Sequence, residues 1–251
     1  MLYIIDHSTD PQWNLAAEEY LFKKFSEPVF RLWRNEPSII IGLHQNAFAE
    51  INIDYVKKYK IPVVRRLSGG GAVFHDLGNV NFTFIDNRIA GEDTSAMFAR
   101  FTRPILEAMN ELGIDAHLKG RNDLVIDDKK FSGNAIAVFK ERVLQHGTLL
   151  FSASMTNLSQ ALASRPEQYE GKAVKSNRAR VTNISEHLKS EMGVEDFITF
   201  MERFIVSKNE GKYVNYTYSS DDLAKIAKLK LEKYGKDSWN FGSSLPLASQ
   251  I

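Results

Sequence analysis

Cysteine is missing from all 251 residues. Its absence excludes disulfides, thiolate-rich zinc sites and every mechanism that stores an acyl group as a protein thioester. No apolar run approaches the roughly 20 residues that would span a bilayer. The start of the chain, MLYIIDHSTDPQW, has no basic stretch leading into an apolar one, so neither a membrane protein nor an exported one is expected, and the location is read as cytoplasmic. Net charge is nearly absent as well, because 32 Lys+Arg face 31 Asp+Glu. That balance argues against wholesale binding to nucleic acid or to a membrane surface, and leaves electrostatic work to be local. Repeats, low-complexity segments and long linkers are also lacking. Apolar residues at 43% and charged residues at 25% are ordinary globular values, and the length suits one large domain with at most a small appendage.

What is present reads as mixed α and β. NLAAEEYLFKKF, residues 14 to 25, has helical periodicity with Asn14 as the expected N-cap. PVFRLWR and SIIIG read as strands around a turn at Asn35 to Pro37, and IPVVRRL as another. GAVFHD and NVNFTFI are expected to form a hairpin through Leu77 and Gly78. SAMFARFTRPILEAMNELG predicts a long helix that Pro104 kinks or restarts. NDLVID, KKFSGNAIAVF and RVLQHGTLLF follow as three strands, and EDFITFMERFIVSK and SDDLAKIAKLKLEKY as helices. Strands in runs with helices between them predict an α+β domain, its sheets flanked by helices.

The stretch RRLSGGGAVFHD, residues 65 to 76, concentrates backbone freedom and positive charge. It lacks the P-loop spacing, and Phe74 occupies the last glycine position of a dinucleotide fingerprint. It also enters a strand, so a helix dipole is not at hand for phosphate. Three glycines still allow successive N–H groups to curl round an anion, with Arg65 and Arg66 beside them offering forks suited to phosphate or carboxylate. The ordinary alternative is a tight turn with solvated arginines.

Period-two alternation places Asn79, Asn81 and Thr83 on one face of NVNFTF, and Val80, Phe82 and Phe84 on the other. The same rule puts Lys130 with Ser132 and Asn134, opposite Phe131, Gly133 and Ala135. Lys130 is then either an exposed edge residue or an ammonium aimed at developing negative charge. The six histidines show no zinc-ligand spacing, and no nucleophile elbow accompanies them. His75 and His146 fall within strands, where a hydrogen-bonded core role is the ordinary one.

The blocks NLAAEEYL, LWRNEPSIIIG, RRLSGGGAVFHDLGNVNFTF, GRNDLVIDDKKFSGNA, HGTLL and RARVTNISE occur in that order. Together they resemble the lipoate-protein ligase A family, of the wider biotin/lipoate protein ligase fold, from about residue 5 to WNFG at 239 to 242. The resemblance implies an α+β catalytic domain with mixed, mostly antiparallel sheets, spanning residues 1–251 as a single domain without the family's small C-terminal accessory domain. It implies ATP and Mg²⁺ as cofactors, lipoate as substrate, lipoyl-AMP as intermediate, and a lysine of a lipoyl domain as acceptor, in E2 subunits of 2-oxoacid dehydrogenases or the glycine-cleavage H protein. A separate accessory-domain protein is a possible further partner; nucleic acid and membrane are not expected.

Residue by residue, Lys130 matches the family lysine at the reactive carbonyl and phosphate. Arg66, Ser68, Gly69, Gly70 and Gly71 match the adenylate-binding loop, Val73 and Phe74 the strand beside it, and Asn79, Asn122 and Asp123 polar groups round the nucleotide, Asp123 also being matched to Mg²⁺. Glu18, Trp33, Arg66, His75 and His146 match residues along the lipoyl arm. GKAVKSNRAR, Gly171 to Arg180, resembles a loop that closes over the intermediate. Gln145 and Asp128 depart from the common pattern, where relatives often have histidine and glycine. Two alternatives stay open: a lipoyl transferase that uses preformed lipoyl-AMP, and a lipoyl-AMP binding subunit of a complex.

Overall fold

The computed structural model describes residues 1–162, 179–208 and 212–242. Two sheets organise them. The larger has eight strands in the order β11-β1-β2-β6-β10-β9-β8-β7 and the smaller three in the order β4-β3-β5. In the large sheet the strands are β1 (Leu2–Ile5), β2 (Val29–Trp33), β6 (Asn79–Asn87), β7 (Ala116–Lys119), β8 (Asp123–Ile126), β9 (Lys129–Phe139), β10 (Arg142–Leu150) and β11 (Val214–Asn215). The small sheet contains β3 (Ser38–Ile41), β4 (Val63–Arg65) and β5 (Val73–His75). Pairing is parallel at β1/β11, β1/β2 and β3/β4 and antiparallel elsewhere, in keeping with the expected mixed, mostly antiparallel α+β architecture.

The helices are α1 (Pro11–Lys24), α2 (Ala47–Glu50), α3 (Ile53–Tyr59), α4 (Thr94–Glu111), α5 (Met155–Ala161), α6 (Val194–Ser207), α7 (Ser220–Leu229) and α8 (Asp237–Asn240). One face of the large sheet, with Phe30, Leu32, Val80, Phe82 and Phe84, packs against apolar side chains of α4 and α6 such as Phe101, Ile105 and Phe197. Each such side chain is worth about 1.5–3 kcal/mol through burial, which is what holds the helices to the sheet. The opposite face is divided. Val29, Ile85 and Leu144 meet Leu21 and Phe22 of α1, while further along Trp33 meets Ile40 and Val64 of the small sheet. The small sheet's outer face, with Ile39, Ile41, Val63 and Phe74, is covered by Phe48, Tyr55, Val56 and Ala161 from α2, α3 and α5. A space is thereby left between the two sheets.

Several local expectations are corrected. Helix α1 starts at Pro11, with Asp10 capping the N–H groups of Gln12 and Trp13, so Asn14 lies inside the helix. Proline at the first helical position has no N–H to lose and moves the start one turn earlier. β5 and β6 do not form a hairpin: β5 pairs with β3, β6 with β2 and β10, and the Gly78 carbonyl accepts from the N–H groups of Phe151 and Ser152. Leu77 and Gly78 therefore carry the chain from one sheet to the other. Pro104 sits within one uninterrupted α4. Strand β7, which follows Gly113 at the end of the expected helix, was not foreseen. The alternation of NVNFTF is as expected, but that of KKFSGNA is broken, because Val125 opposes Lys130 and Leu124 opposes Ser132, leaving Phe131 as an extra residue. The bulge turns Lys130 to the face of Gly133 and Ala135 and sends Phe131 into the core.

Candidate functional site

Between the sheets lies a cavity of about 330 Å³. Its floor is a row of residues across the large sheet: Trp33 on β2 opposite Asn81 on β6, Asn81 opposite Thr148 on β10, then Gly133 on β9, whose N–H donates to Thr148 Oγ1, and Asp123 on β8 opposite Gly133. At about 4.8 Å per strand the row runs roughly 19 Å. One end is apolar, with Trp33, Leu15 and Ile40; the other carries Arg121, Asn122, Asp123 and Lys130.

At the charged end Lys130 Nζ lies 2.7 Å from Asp123 Oδ1, both side chains partly exposed. The lysine backbone is strapped on its other side: its N–H donates to Arg180 O at 2.8 Å, and Thr182 N–H donates to its carbonyl at 3.0 Å. The segment from Arg180 to Thr182 thus fixes Lys130, a link that sequence distance concealed. Gly133 makes room for the ammonium, since a Cβ there would stand 2.8 Å from Lys130 Cε and Nζ. Asn122 is held by Asn134, donating to its carbonyl at 2.6 Å and accepting from its N–H at 3.0 Å.

The glycine loop forms the wall above. Arg66 Nη2 donates to the carbonyls of Gly69 and Gly71 at 2.7 and 2.8 Å, Nη1 to Ile40 O, and Nε to Ser68 Oγ. Its guanidinium is buried, lines the cavity and makes no ion pair among the described residues. Burial lowers its pKa to about 10 against the pull of Glu18, so it stays charged at neutral pH. A buried cation bonded only to neutral groups is an anion site in waiting. Gly70 adopts φ +90°, and the Gly70 carbonyl would lie 2.1 Å from a Cβ at Gly42, so both positions require glycine. Arg65 is different from the expected phosphate fork. Its guanidinium donates to the carbonyls of Gly42, Leu43, Gln45, Trp239 and Asn240, tying the loop's base to α8. With its donors spent on backbone, it is structural.

A hydrogen-bonded chain joins this wall to the apolar end. Ser68 Oγ lies 2.6 Å from His146 Nε2, and His146 Nδ1 lies 2.8 Å from Glu18 Oε2. Thr83 Oγ1 donates to Glu18 Oε1 at 2.6 Å and accepts from Trp33 Nε1 at 3.0 Å. Burial pushes the Glu18 carboxyl up, but His146, Thr83 and Arg31 outweigh it and hold the group below the usual carboxylate range. Glu18 and Ser68 therefore do not line the cavity; they orient Trp33 and His146, which do.

Of the remaining expected residues, Gly70, Gly71, Val73, His75, Asn122, Asp123 and Lys130 line the cavity together with Arg66. Gly69 does not; Phe74 turns its ring into the outer core of the small sheet, and Asn79 is buried behind Asn81, donating to its Oδ1 at 3.0 Å. Residues 171–178 of the expected closing loop lie outside the described residues. Asn81, Thr148, Gly133 and Arg121 were not singled out beforehand; the shared face of Asn79, Asn81 and Thr83 was the one available signal. Among the described residues no helix is long and apolar enough to cross a membrane.

The fold matches that of solved lipoate-protein ligase structures. A bipartite lipoate protein ligase of Thermoplasma acidophilum, described with its E2 lipoyl domain, superposes with a TM-score of 0.82 at 26% identity, covering 96% of this chain and 95% of that one. A lipoate-protein ligase A bound with ATP gives 0.80 at 25% identity, covering 96% and 98%. Over 248 residues the chain is 42% identical to lipoate-protein ligase LplJ of Bacillus subtilis, covering 97% of this chain and 74% of that protein. The model for the lipoyl protein ligase A/B catalytic domain matches residues 10–205, and the chain belongs to that family.

Proposed function

We propose that the chain is an ATP-dependent lipoate-protein ligase whose acyl-adenylate forms along the row between Trp33 and Asp123. The observation that carries this reading is the polarity of the cavity: a lysine–carboxylate pair at one end, an indole and aliphatic side chains at the other, and an uncompensated buried arginine in the wall above. An acid lying with its tail at Trp33 brings its carboxylate toward Lys130 and Arg66. Each CH₂ buried at the apolar end favours binding by about 0.8 kcal/mol.

In the first step a carboxylate oxygen attacks the α-phosphorus of ATP, the bond to the bridging oxygen breaks, and pyrophosphate leaves with the electron pair. Arg66 and Lys130 offset the repulsion between the two anions, and the loop N–H groups receive phosphate oxygens. In the second step a lysine amine of the acceptor attacks the acyl carbon, AMP leaves, and the amine's surplus proton passes to solvent. No cysteine is needed, because the acyl group is carried on phosphate. Asp123 is the only acidic side chain lining the cavity among the described residues, and these contain no group of three or more potential metal ligands. That fits Mg²⁺ carried by the triphosphate and met by one protein carboxylate, where it would neutralise phosphate charge. The acceptor is proposed to be a lipoyl domain, as the Thermoplasma pairing suggests for its own ligase.

The reading is tested by incubating the chain with MgATP, lipoate and a lipoyl domain. It predicts pyrophosphate release together with a lipoyl mass gain on the acceptor lysine. A mass gain from supplied lipoyl-AMP but none from lipoate and ATP would assign transfer alone and overturn the activation step.

A further inference from the structure

His75 sits at the apolar end of the cavity, its ring centroid 6.0 Å from that of Trp33 in edge contact. Nothing in an apolar acid tail calls for a histidine there, yet its Nε2 is buried without a partner. Ser38, directly across the ladder from His75, has a buried and equally unpartnered Oγ.

Which ring nitrogen carries the proton follows from a chain of bonds that starts at a group able only to donate. Arg31 Nη2 donates to Asn14 at 2.6 Å, so the Asn14 atom facing it is the oxygen. The Asn14 NH₂ then faces Asn35 at 2.9 Å, and it also faces the carbonyls of Ser8 and Arg34, which only accept. The Asn35 atom facing Asn14 is therefore oxygen, and its NH₂ faces His75 Nδ1 at 3.1 Å. Nδ1 must accept, which leaves the proton on Nε2. His75 lines the cavity while Asn35, which takes up its Nδ1, does not, and Nε2 is the one polar atom of the ring left without a partner. Burial, with Arg66 and His146 nearby, pushes the imidazole down to about 3, so the ring stays neutral and keeps this single N–H.

We infer that Asn35 is a positioning residue that locks His75 as an Nε2–H donor at the tail end of the acid pocket, favouring a tail that carries sulfur over a plain hydrocarbon tail of equal length. A hydrocarbon leaves the buried N–H unpaired, and an unpaired buried donor is costly to the complex. Sulfur is a weak acceptor, so the preference is modest, about fivefold to tenfold, the equivalent of one net hydrogen bond. The selectivity part rests on the ligase reading; the tautomer part does not.

The test has two arms. Long-range ¹H–¹⁵N correlation on histidine-labelled protein should find His75 in the Nε2–H form with no titration from pH 5 to 8. In Asn35→Asp both side-chain oxygens accept, so the proton should move to Nδ1. The ratio of kcat/KM for lipoate over octanoate should then fall about fivefold to tenfold, and His75→Phe should lower it similarly by an independent route. An Nδ1–H tautomer in the unaltered chain would overturn the lock, and an unchanged ratio in both variants would overturn the selectivity. Absence of turnover of either acid by the unaltered chain would instead defeat the ligase reading and the selectivity with it, while the spectrum would still decide the role of Asn35.

Discussion

Replacing Gly133 by alanine perturbs Lys130 without altering it. The new methyl carbon would stand 2.8 Å from Lys130 Cε and Nζ, whereas ordinary contact begins near 3.4 Å, so the ammonium must retreat by at least 0.6 Å (3.4 minus 2.8). That retreat shifts the ammonium relative to Asp123, from which it now stands 2.7 Å. The neighbour is the far end of a flexible side chain, so the sheet itself is not disturbed. The ion pair is partly exposed and worth at most about 1 kcal/mol, and the melting temperature should change by no more than about 2–4 °C. Catalysis is more sensitive to position than stability is, because a displacement of about 1 Å can cost on the order of a hundredfold. Gly133→Ala should therefore slow adenylate formation by about tenfold to a hundredfold in single-turnover measurements with saturating MgATP and lipoate. Lys130→Ala, measured alongside, should nearly abolish it while leaving the melting temperature close to that of the parent. A Gly133→Ala rate equal to the parent's, with Lys130→Ala inactive, would refute the placement of the ammonium over Gly133.

Three further outcomes follow from the geometry. Trp33→Val should enlarge the apolar end and raise kcat/KM for acids with bulkier tails relative to lipoate; an unchanged order across a series of tails would contradict the assignment. Gly70→Val forces a branched residue to φ +90° with its Cβ 3.0 Å from Arg66 Nη2, so MgATP affinity measured by equilibrium dialysis should fall at least about tenfold, and normal affinity would show the loop to have been misread. The His75 imidazole has a folded pKa of about 3 against an ordinary value near 6.5, so between these values the unfolded chain binds a proton that the folded chain does not. Its contribution to stability is therefore lost as pH falls, by about 2 kcal/mol at pH 5, and urea unfolding at pH 7 and pH 5 should show a smaller difference in His75→Gln than in the parent.

What the sequence made legible was local. The alternation in NVNFTF identified the face that carries Asn81 and Thr83, and the run of strands from NDLVID onward is present as β8, β9 and β10. What it concealed depends on partners distant in the chain. The facing of Lys130 was missed because the extra residue, Phe131, has meaning only against β8. GAVFHD and NVNFTFI suggested a hairpin through Leu77 and Gly78, but pairing of the first with β3 and of the second with β2 and β10 decided otherwise. Arg65 and Arg66 look alike as adjacent arginines, yet strand alternation sends one into the carbonyls of α8 and of the turn after β3 and the other to the cavity wall. Asn35 carried no signal of its own, since its part is visible only once Asn14 and His75 stand on either side of it.

The central claim is that the acid is carried as an adenylate before any acceptor takes part. Lipoate-dependent exchange of labelled pyrophosphate into ATP, measured with this chain alone, tests it directly. Exchange that requires lipoate and Mg²⁺, proceeds without a lipoyl domain and disappears in Lys130→Ala is the predicted result. Modification of a lipoyl domain from lipoate and ATP with no exchange in its absence would contradict the account, because the acyl group would then reach the acceptor without a free-standing adenylate.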